Sequence, residues 1–297
     1  MARMSVKNQT ARTLRRVAWR LERPPKNHIG RAVRAATSGE ALTPTDSAAP
    51  SRKSSWFFEQ YPQFYWTSST APNPARLNLR YEAIFGENKD IFAGATVLDI
   101  ACHDGRWSLA SLATGAQSVI GIDARPELVE VATKNLEENG FGSDRARFIT
   151  GDVHEVLNTQ SFKADVVLCL GFLYHTLRYN ELLDGIRRTN AKYLIIDTFS
   201  PYMAEPVPSV NVMIEDDDGQ GSAAAETDTY TQGSSVLIGR PNLAAIRTMV
   251  EAYGYRVERL SDWAAILRDN PEADMCGDYA NGRRITVRCV STTAAPA

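Results

Sequence analysis

The chain has 297 residues, 43% of them hydrophobic, enough to bury one large core with appendages around it. Its longest apolar runs, such as Val166 to Leu170 and Tyr193 to Ile196, are too short to cross a bilayer, and no secretory apolar stretch follows Met1. The four cysteines are scattered with no CxxC pair and no metal-binding spacing, which fits reduced thiols in a cytoplasmic protein.

The formal net charge of −2 hides a division. Residues 1–53 hold twelve Lys and Arg against three acids, leaving 21 against 32 in the remainder. A basic arm on an acidic body predicts an anionic partner for residues 1–35, a membrane surface or a nucleic acid, or else a solvated tail. Leu14, Val17, Ala18 and Leu21 recur at helical spacing among five arginines, which reads as a short basic amphipathic helix stopped by Pro24-Pro25. Residues 36–55 are rich in Ala, Ser, Thr and Pro and read as a linker, so the appendage is drawn as 1–55. The next segment, drawn as 56–94, opens with Trp56, Phe57, Phe58, Tyr61, Phe64, Tyr65 and Trp66. It is expected either to cap a ligand pocket or to pack on the core through its aromatic face.

From residue 95 strands and helices alternate, the pattern of a parallel sheet covered by helices. The expected strands are Thr96–Ala101, Ser118–Asp123, Ala146–Asp152, Ala164–Leu170 and Tyr193–Phe199. After Ser200-Pro201 the pattern breaks, and 201–240 reads as a loop insertion near the sheet's C-terminal edge. Its acidic run, Glu215 to Asp218, is either a set of oxygen ligands for Mg²⁺ or a solvated loop. A helix from Pro241 to about Tyr253 and two late strands, Arg256–Ser261 and Arg284–Val290, joined by a long loop, complete a domain drawn as 95–297.

Three carboxylates fall at successive strand ends: Asp99 in VLDIACHDG, Asp123 in VIGID and Asp152 in ITGD. In a doubly wound sheet these points line one crevice. A carboxylate after the second strand can accept hydrogen bonds from both ribose hydroxyls of an adenosine, and the first turn aims N–H groups and a helix N-terminus at a cofactor. In the first turn only Gly105 is a glycine. That argues against a dinucleotide, whose pyrophosphate needs close backbone approach.

With these residues in place, the stretch 96–200 resembles the class I S-adenosylmethionine-dependent methyltransferases. That family commonly shows Asp/Glu-x-Gly-x-Gly-x-Gly in the first turn; here Ala101 and His103 replace the first two glycines, and His tolerates positive φ. The resemblance implies an α/β, Rossmann-like fold: a seven-stranded, mostly parallel sheet with helices on both faces and the last strand antiparallel. It implies that Asp99 helps hold the methionyl amino group, that Ala101 and Gly105 lie in the turn at the cofactor, and that Asp123 binds the ribose diol. Asp152 and Val153 would read the adenine, and the carbonyls around Leu170 and Gly171 would face the methionyl end. LGFLYH, Leu170 to His175, is similar to a segment of the tRNA wobble-uridine carboxymethyl-transfer enzymes, in which the position of Tyr174 contacts the cofactor.

His175 follows the fourth strand and is the candidate general base, since imidazole titrates near 6.5; the alternative is a structural histidine bonding backbone. His103 and His154 read as turn and helix-start residues, and Trp107 as packing on the adenosine side or in the core. The expected activity is methyl transfer from S-adenosylmethionine to an oxygen of a small-molecule or glycan acceptor, with no metal. A tRNA-modifying enzyme and a non-catalytic cofactor-binding module are the alternatives; the acidic body counts against RNA. The expected location is cytoplasmic, with the arm able to bring the protein to a membrane.

Overall fold

The computed structural model describes residues 56–66, 74–200, 206–216, 235–271, 273 and 276–293. The chain divides into two units, Met1–Arg52 and Lys53–Ala297, and all described residues belong to the second. The basic arm, its helix and the linker of 1–55 therefore lie outside the described residues, as do Asp217 and Asp218.

Five strands, β1 (Thr96–Ile100), β2 (Ser118–Asp123), β3 (Ala146–Thr150), β4 (Val166–Leu170) and β5 (Tyr193–Phe199), pair in parallel in the order β3-β2-β1-β4-β5. Strand β4, VVLCL, is buried along its whole length, as a parallel strand covered on both faces must be. Strand β9 (Arg284–Ser291) then inserts antiparallel between β5 and β8 (Tyr255–Leu260), closing a seven-stranded sheet. The expected fold class holds, including the antiparallel last strand. The strand order reverses between β1 and β4, so a crevice opens at their C-terminal ends.

Alternation along the strands divides the apolar residues between two cores. Leu98, Ile100, Val167, Leu194 and Ile196 face α4 (Val153–Thr159), α5 (Tyr179–Arg188) and α6 (Leu243–Ala252). Val97, Val166, Leu168 and Ile195 face α1 (Pro74–Ile84), α2 (Arg106–Ala113) and α3 (Pro126–Glu138). Phe57, Phe58, Tyr61, Phe64 and Tyr65 of the 56–66 stretch serve this second core, whereas Trp66 is exposed. Phe58 and Phe64 are fully buried, and Phe57 stacks on Tyr81 with ring centroids 4.0 Å apart. Trp107 belongs to the same core, edge-on to Phe58.

Three readings need correction. The 201–240 insertion is not all loop: β6 (Val210–Asp216) and β7 (Ser235–Pro241) form an antiparallel hairpin. The β-branched residues of VNVMIED and SVLIGRP outweigh the prolines and glycines around them. Pro241 ends that hairpin rather than opening the next helix; Asn242 caps it by accepting from the Ala245 N–H at 2.8 Å. The connection between the late strands carries two short helices, α7 (Trp263–Arg268) and α8 (Gly277–Ala280).

A buried ion cluster ties this frame together. Asp197 on β5 has no exposed surface and lies opposite Thr286 of β9. Its Oδ1 accepts from Arg80 of α1 at 3.0 Å and from Arg284 Nε at 2.8 Å; its Oδ2 accepts from the Tyr279 and Thr286 hydroxyls, each at 2.8 Å. Burial pushes this carboxyl upward, but Arg284 and Arg80 hold it well below the usual range. Removing one member of such a cluster leaves buried charge uncompensated. Asp197→Ala is expected to cost about 3–5 kcal/mol, read from urea unfolding; a loss below ~1 kcal/mol would mean that water screens the two guanidinium groups.

Candidate active site

The turn from β1 to α2 follows the backbone demand of a glycine-rich loop without the glycines. Ala101 and His103 have φ of 54° and 53°, and Gly105 has φ of 79°. A side chain in this region costs roughly 1–2 kcal/mol. The turn is held by Cys102 N–H donating to Ile122 O at 2.9 Å and His103 N–H donating to Asp123 Oδ2 at 2.9 Å. Asp104 braces it from within, bonded by Arg106 Nε at 2.8 Å and Nη2 at 2.7 Å. Gly105 is the glycine that remains because a Cβ there would lie 2.8 Å from Leu136 Cδ2 and 3.2 Å from Ala132 Cα. Ala101→Gly is thus expected to leave stability unchanged or raise it by up to ~1 kcal/mol, strain relief offsetting added chain entropy. Gly105→Ala is expected to cost at least ~2 kcal/mol. Thermal unfolding of the pair decides; equal effects would mean the turn is not strained.

The strand-end carboxylates sit in different environments. Asp99 is buried; its Oδ2 accepts from Ser108 Oγ at 2.7 Å, while its Oδ1 is buried with no hydrogen-bond partner. Burial, helped by the charges of Asp123 and Asp104, raises its pKa to about 7. Asp123 is also buried, and its oxygens accept from the backbone N–H of His103 and of Arg125 and from the Arg125 guanidinium at 2.9 and 3.1 Å. Asp152 is the N-cap of α4, accepting from Glu155 N–H at 2.9 Å, with His154 Nδ1 at 3.5 Å and Arg178 Nη1 at 3.6 Å. Burial pushes its carboxyl up, but the nearby His154, the hydrogen bond from the Glu155 N–H and the Arg178 charge bring it below its ordinary value. Val153 is buried in the α4 side of the core. Leu170 closes β4, and Gly171 follows with φ of 91°, its N–H donating to Asp197 O at 2.8 Å.

Tyr174 and His175 lie in a short 3-10 turn after β4, their rings 4.0 Å apart. His175 is not bonded to backbone through its ring in any described contact; its Nδ1 is 3.1 Å from Glu215 Oε2 on β6. A carboxylate can only accept, so neutral His175 carries its proton on Nδ1 and leaves Nε2 as a lone pair. Burial lowers the pKa of His175, as do Arg284 and Arg240, and the Glu215 hydrogen bond and charge recover only part of that. The acidic run supplies this one described carboxylate, and the histidine is among its partners. Among the described residues no group of three or more His, Cys, Asp or Glu could hold a metal ion.

Glu215, Arg240 and Arg284 form the rim with Phe199, and sequence reasoning missed their role. The Cζ atoms of Arg240 and Arg284 each lie 5.0 Å from the Phe199 ring, and Tyr174 meets that ring edge-on at 4.8 Å. Arg284 Nη2 is 3.5 Å from where a Cβ on Gly171 would stand. Only Glu215 left a signal, the acidic run itself. An arginine in an alternating strand reads as a solvated face.

This sheet order and this strand-end site define the class I methyltransferase fold. Residues 97–191 match the methyltransferase-domain family. Protein arginine N-methyltransferase 1 of Saccharomyces cerevisiae is 27% identical over 151 residues, 51% of this chain and 42% of that protein. The ubiquinone biosynthesis O-methyltransferase of Actinobacillus pleuropneumoniae is 35% identical over 121 residues, 40% of this chain and 51% of that protein. The chain thus spans about half or less of the length of these curated relatives. The [4+2]-cyclase SpnF superposes with a TM-score of 0.51 at 14% identity, covering 77% of this chain and 87% of that one. A protein of Pyrococcus horikoshii OT3 superposes with a TM-score of 0.50 at 14% identity, covering 79% of this chain and 99% of that one. These two likenesses concern the fold. No helix among the described residues is long and apolar enough to cross a membrane.

S-adenosylmethionine, the cofactor of this class, fits the residues present. The partnerless Oδ1 of Asp99 is a buried acceptor waiting for a cationic donor, and an ammonium group supplies one. Binding such a group requires the ionised carboxylate, whose pKa of about 7 lies within the working range. S-adenosylhomocysteine should therefore bind about tenfold more weakly at pH 6 than at pH 8. Asp99→Asn should weaken binding and abolish this pH dependence. Calorimetry at the two pH values tests it; equal affinity for the wild type would place the ammonium elsewhere.

Proposed function

We propose that this protein transfers a methyl group to the oxygen of a small-molecule or sugar-containing acceptor. The observation that carries the reading is the His175–Glu215 pair at the C-terminal ends of β4 and β5, with Nε2 of the imidazole left as the proton acceptor. Bound S-adenosylmethionine supplies an electrophilic methyl group on a sulfonium. Asp99 holds its ammonium, Ala101 and Gly105 shape the turn beside it, and Asp123 holds the ribose diol once the partly exposed Arg125 side chain gives up its place on the carboxylate. Asp152 and Val153 border the adenine, and Leu170, Gly171 and Tyr174 border the methionyl end.

His175 takes the acceptor's proton, and Glu215 is a positioning residue that fixes the tautomer and balances the imidazolium. Orientation of the two reactants supplies most of the remaining acceleration. The relatives' names range from protein arginine to ubiquinone biosynthesis, so similarity does not select the acceptor. The fold does not select the reaction either, since a [4+2]-cyclase shares it. The cytoplasmic location and the role of the 1–35 arm belong to the same proposal.

Incubation of the full chain with radiolabelled methyl donor and fractionated cell extract tests the reading. Label is expected in the small-metabolite or glycan fraction; label in RNA would favour the tRNA reading, and no label anywhere would leave a cofactor-binding module. His175→Ala should cut methyl transfer at least ~100-fold while cofactor affinity stays within about threefold. At saturating cofactor, where the Asp99 ionisation no longer limits binding, the wild-type rate should rise with pH through one ionisation below the ordinary imidazole value of 6.5, because the neutral ring is the active form. Glu215→Gln should move that inflection lower still. Near-normal turnover in His175→Ala would remove the residue from the chemistry.

A further inference from the structure

The β6–β7 hairpin brings two charged side chains to the site on one face. Pairing sets Asn211 opposite Arg240, Met213 opposite Ile238 and Glu215 opposite Val236, so Glu215 and Arg240 belong to the same side of the ribbon. Val236 and Ile238 between them are buried, and Glu215 reaches His175. Arg240 lies over Phe199, and its buried Nε makes no hydrogen bond. Among the described residues no carboxylate pairs with it.

Among the described residues the charges at and behind Phe199 do not balance. Arg80 and Arg284 share the single carboxylate of Asp197, and Arg240 adds a third guanidinium. Glu215, the other acid on the rim, is engaged with His175. Farther back, Arg76 is matched by Asp278. Among the described residues three arginines thus share two carboxylates, and the rings of Phe199 and Tyr174 form an apolar wall beside Arg240 and Arg284. A cationic acceptor is disfavoured here. A carboxylate or a phosphate would give Arg240 a bidentate partner that no described residue supplies, at a guanidinium kept in place by its ring contact and partial burial.

We propose that the acceptor carries an anionic group, a carboxylate or a phosphate on an apolar or aromatic body, and that Arg240 reads it while Phe199 and Arg284 wall the subsite. This rests on reading the strand-end crevice as the acceptor site. The charge sits on the hairpin and the proton acceptor on the turn after β4, so the subsite selects for acceptors whose anion and reacting group are held apart on one rigid body.

The test is binding, so it does not depend on turnover. The full chain is first titrated with S-adenosylhomocysteine; failure at that step would count against the methyltransferase reading itself. The saturated complex is then titrated with benzoate, with its neutral analogue benzamide, and with inorganic phosphate. Benzoate is expected to bind at least ~10-fold more tightly than benzamide, a difference appropriate to a charge-assisted hydrogen bond. Arg240→Gln should remove the preference, Arg240→Lys should keep part of it, and a change at the exposed Arg256 should leave it intact. Phosphate displacing benzoate in an Arg240-dependent way would assign a phosphate-bearing acceptor. Equal binding of benzoate and benzamide, a preference that survives Arg240→Gln, or no anion binding tighter than ~10 mM with cofactor binding intact would overturn the proposal.

Discussion

A carboxylate buried at the end of a sheet strand must be met by N–H groups or by positive charge, and the organisation of this molecule follows from how each one is met. Asp197 is answered by Arg80 and Arg284, which draw α1 and β9 onto β5. Asp104 is answered by Arg106, which fixes the first turn. Asp123 is answered by backbone N–H groups and Arg125. Asp99 alone of these keeps a buried oxygen with no partner. The satisfied carboxylates build the frame, and the unsatisfied one is the acceptor to which the proposed function assigns the cofactor's ammonium.

The same logic separates the two halves of the crevice. The β1–β2 side is rich in carboxylates and backbone N–H groups, which suits a cofactor carrying an ammonium and a ribose diol. The β4–β5 side is rich in guanidinium groups and aromatic rings, with one imidazole held in a defined tautomer. Under the proposed function, opposite electrostatic demands on the two sides would keep the two reactants from exchanging places, and the reversal of strand order between β1 and β4 puts the boundary in the middle of the sheet.

Strain at the first turn is the companion cost. Ala101 and His103 occupy a backbone region where a Cβ is unfavourable, yet the turn persists because His103 N–H reaches Asp123 and Cys102 N–H reaches Ile122 O. Without a phosphate to receive, the loop does not need bare backbone at each position. It needs a glycine only where Leu136 and Ala132 of α3 leave no room.

The sequence by itself determined the sheet. Short apolar runs ending in Asp99 and Asp123 place β1 and β2, the VVLCL run places β4, and YLIIDTF predicts β5 to the residue, because alternation and burial are local consequences of a strand covered on both faces. It also placed His175 after β4 and Asp123 after β2. Tertiary structure alone decided what those groups touch. Prolines and glycines hid the hairpin of β6 and β7, whose pairing is a contact between segments roughly twenty residues apart. Glu215 stands 40 positions from His175, and Arg80 and Arg284 stand 117 and 87 positions from Asp197. No periodicity encodes such distances; they exist only once the sheet has ordered its strands and the packing of α1, β9 and the hairpin has brought each charge to its partner.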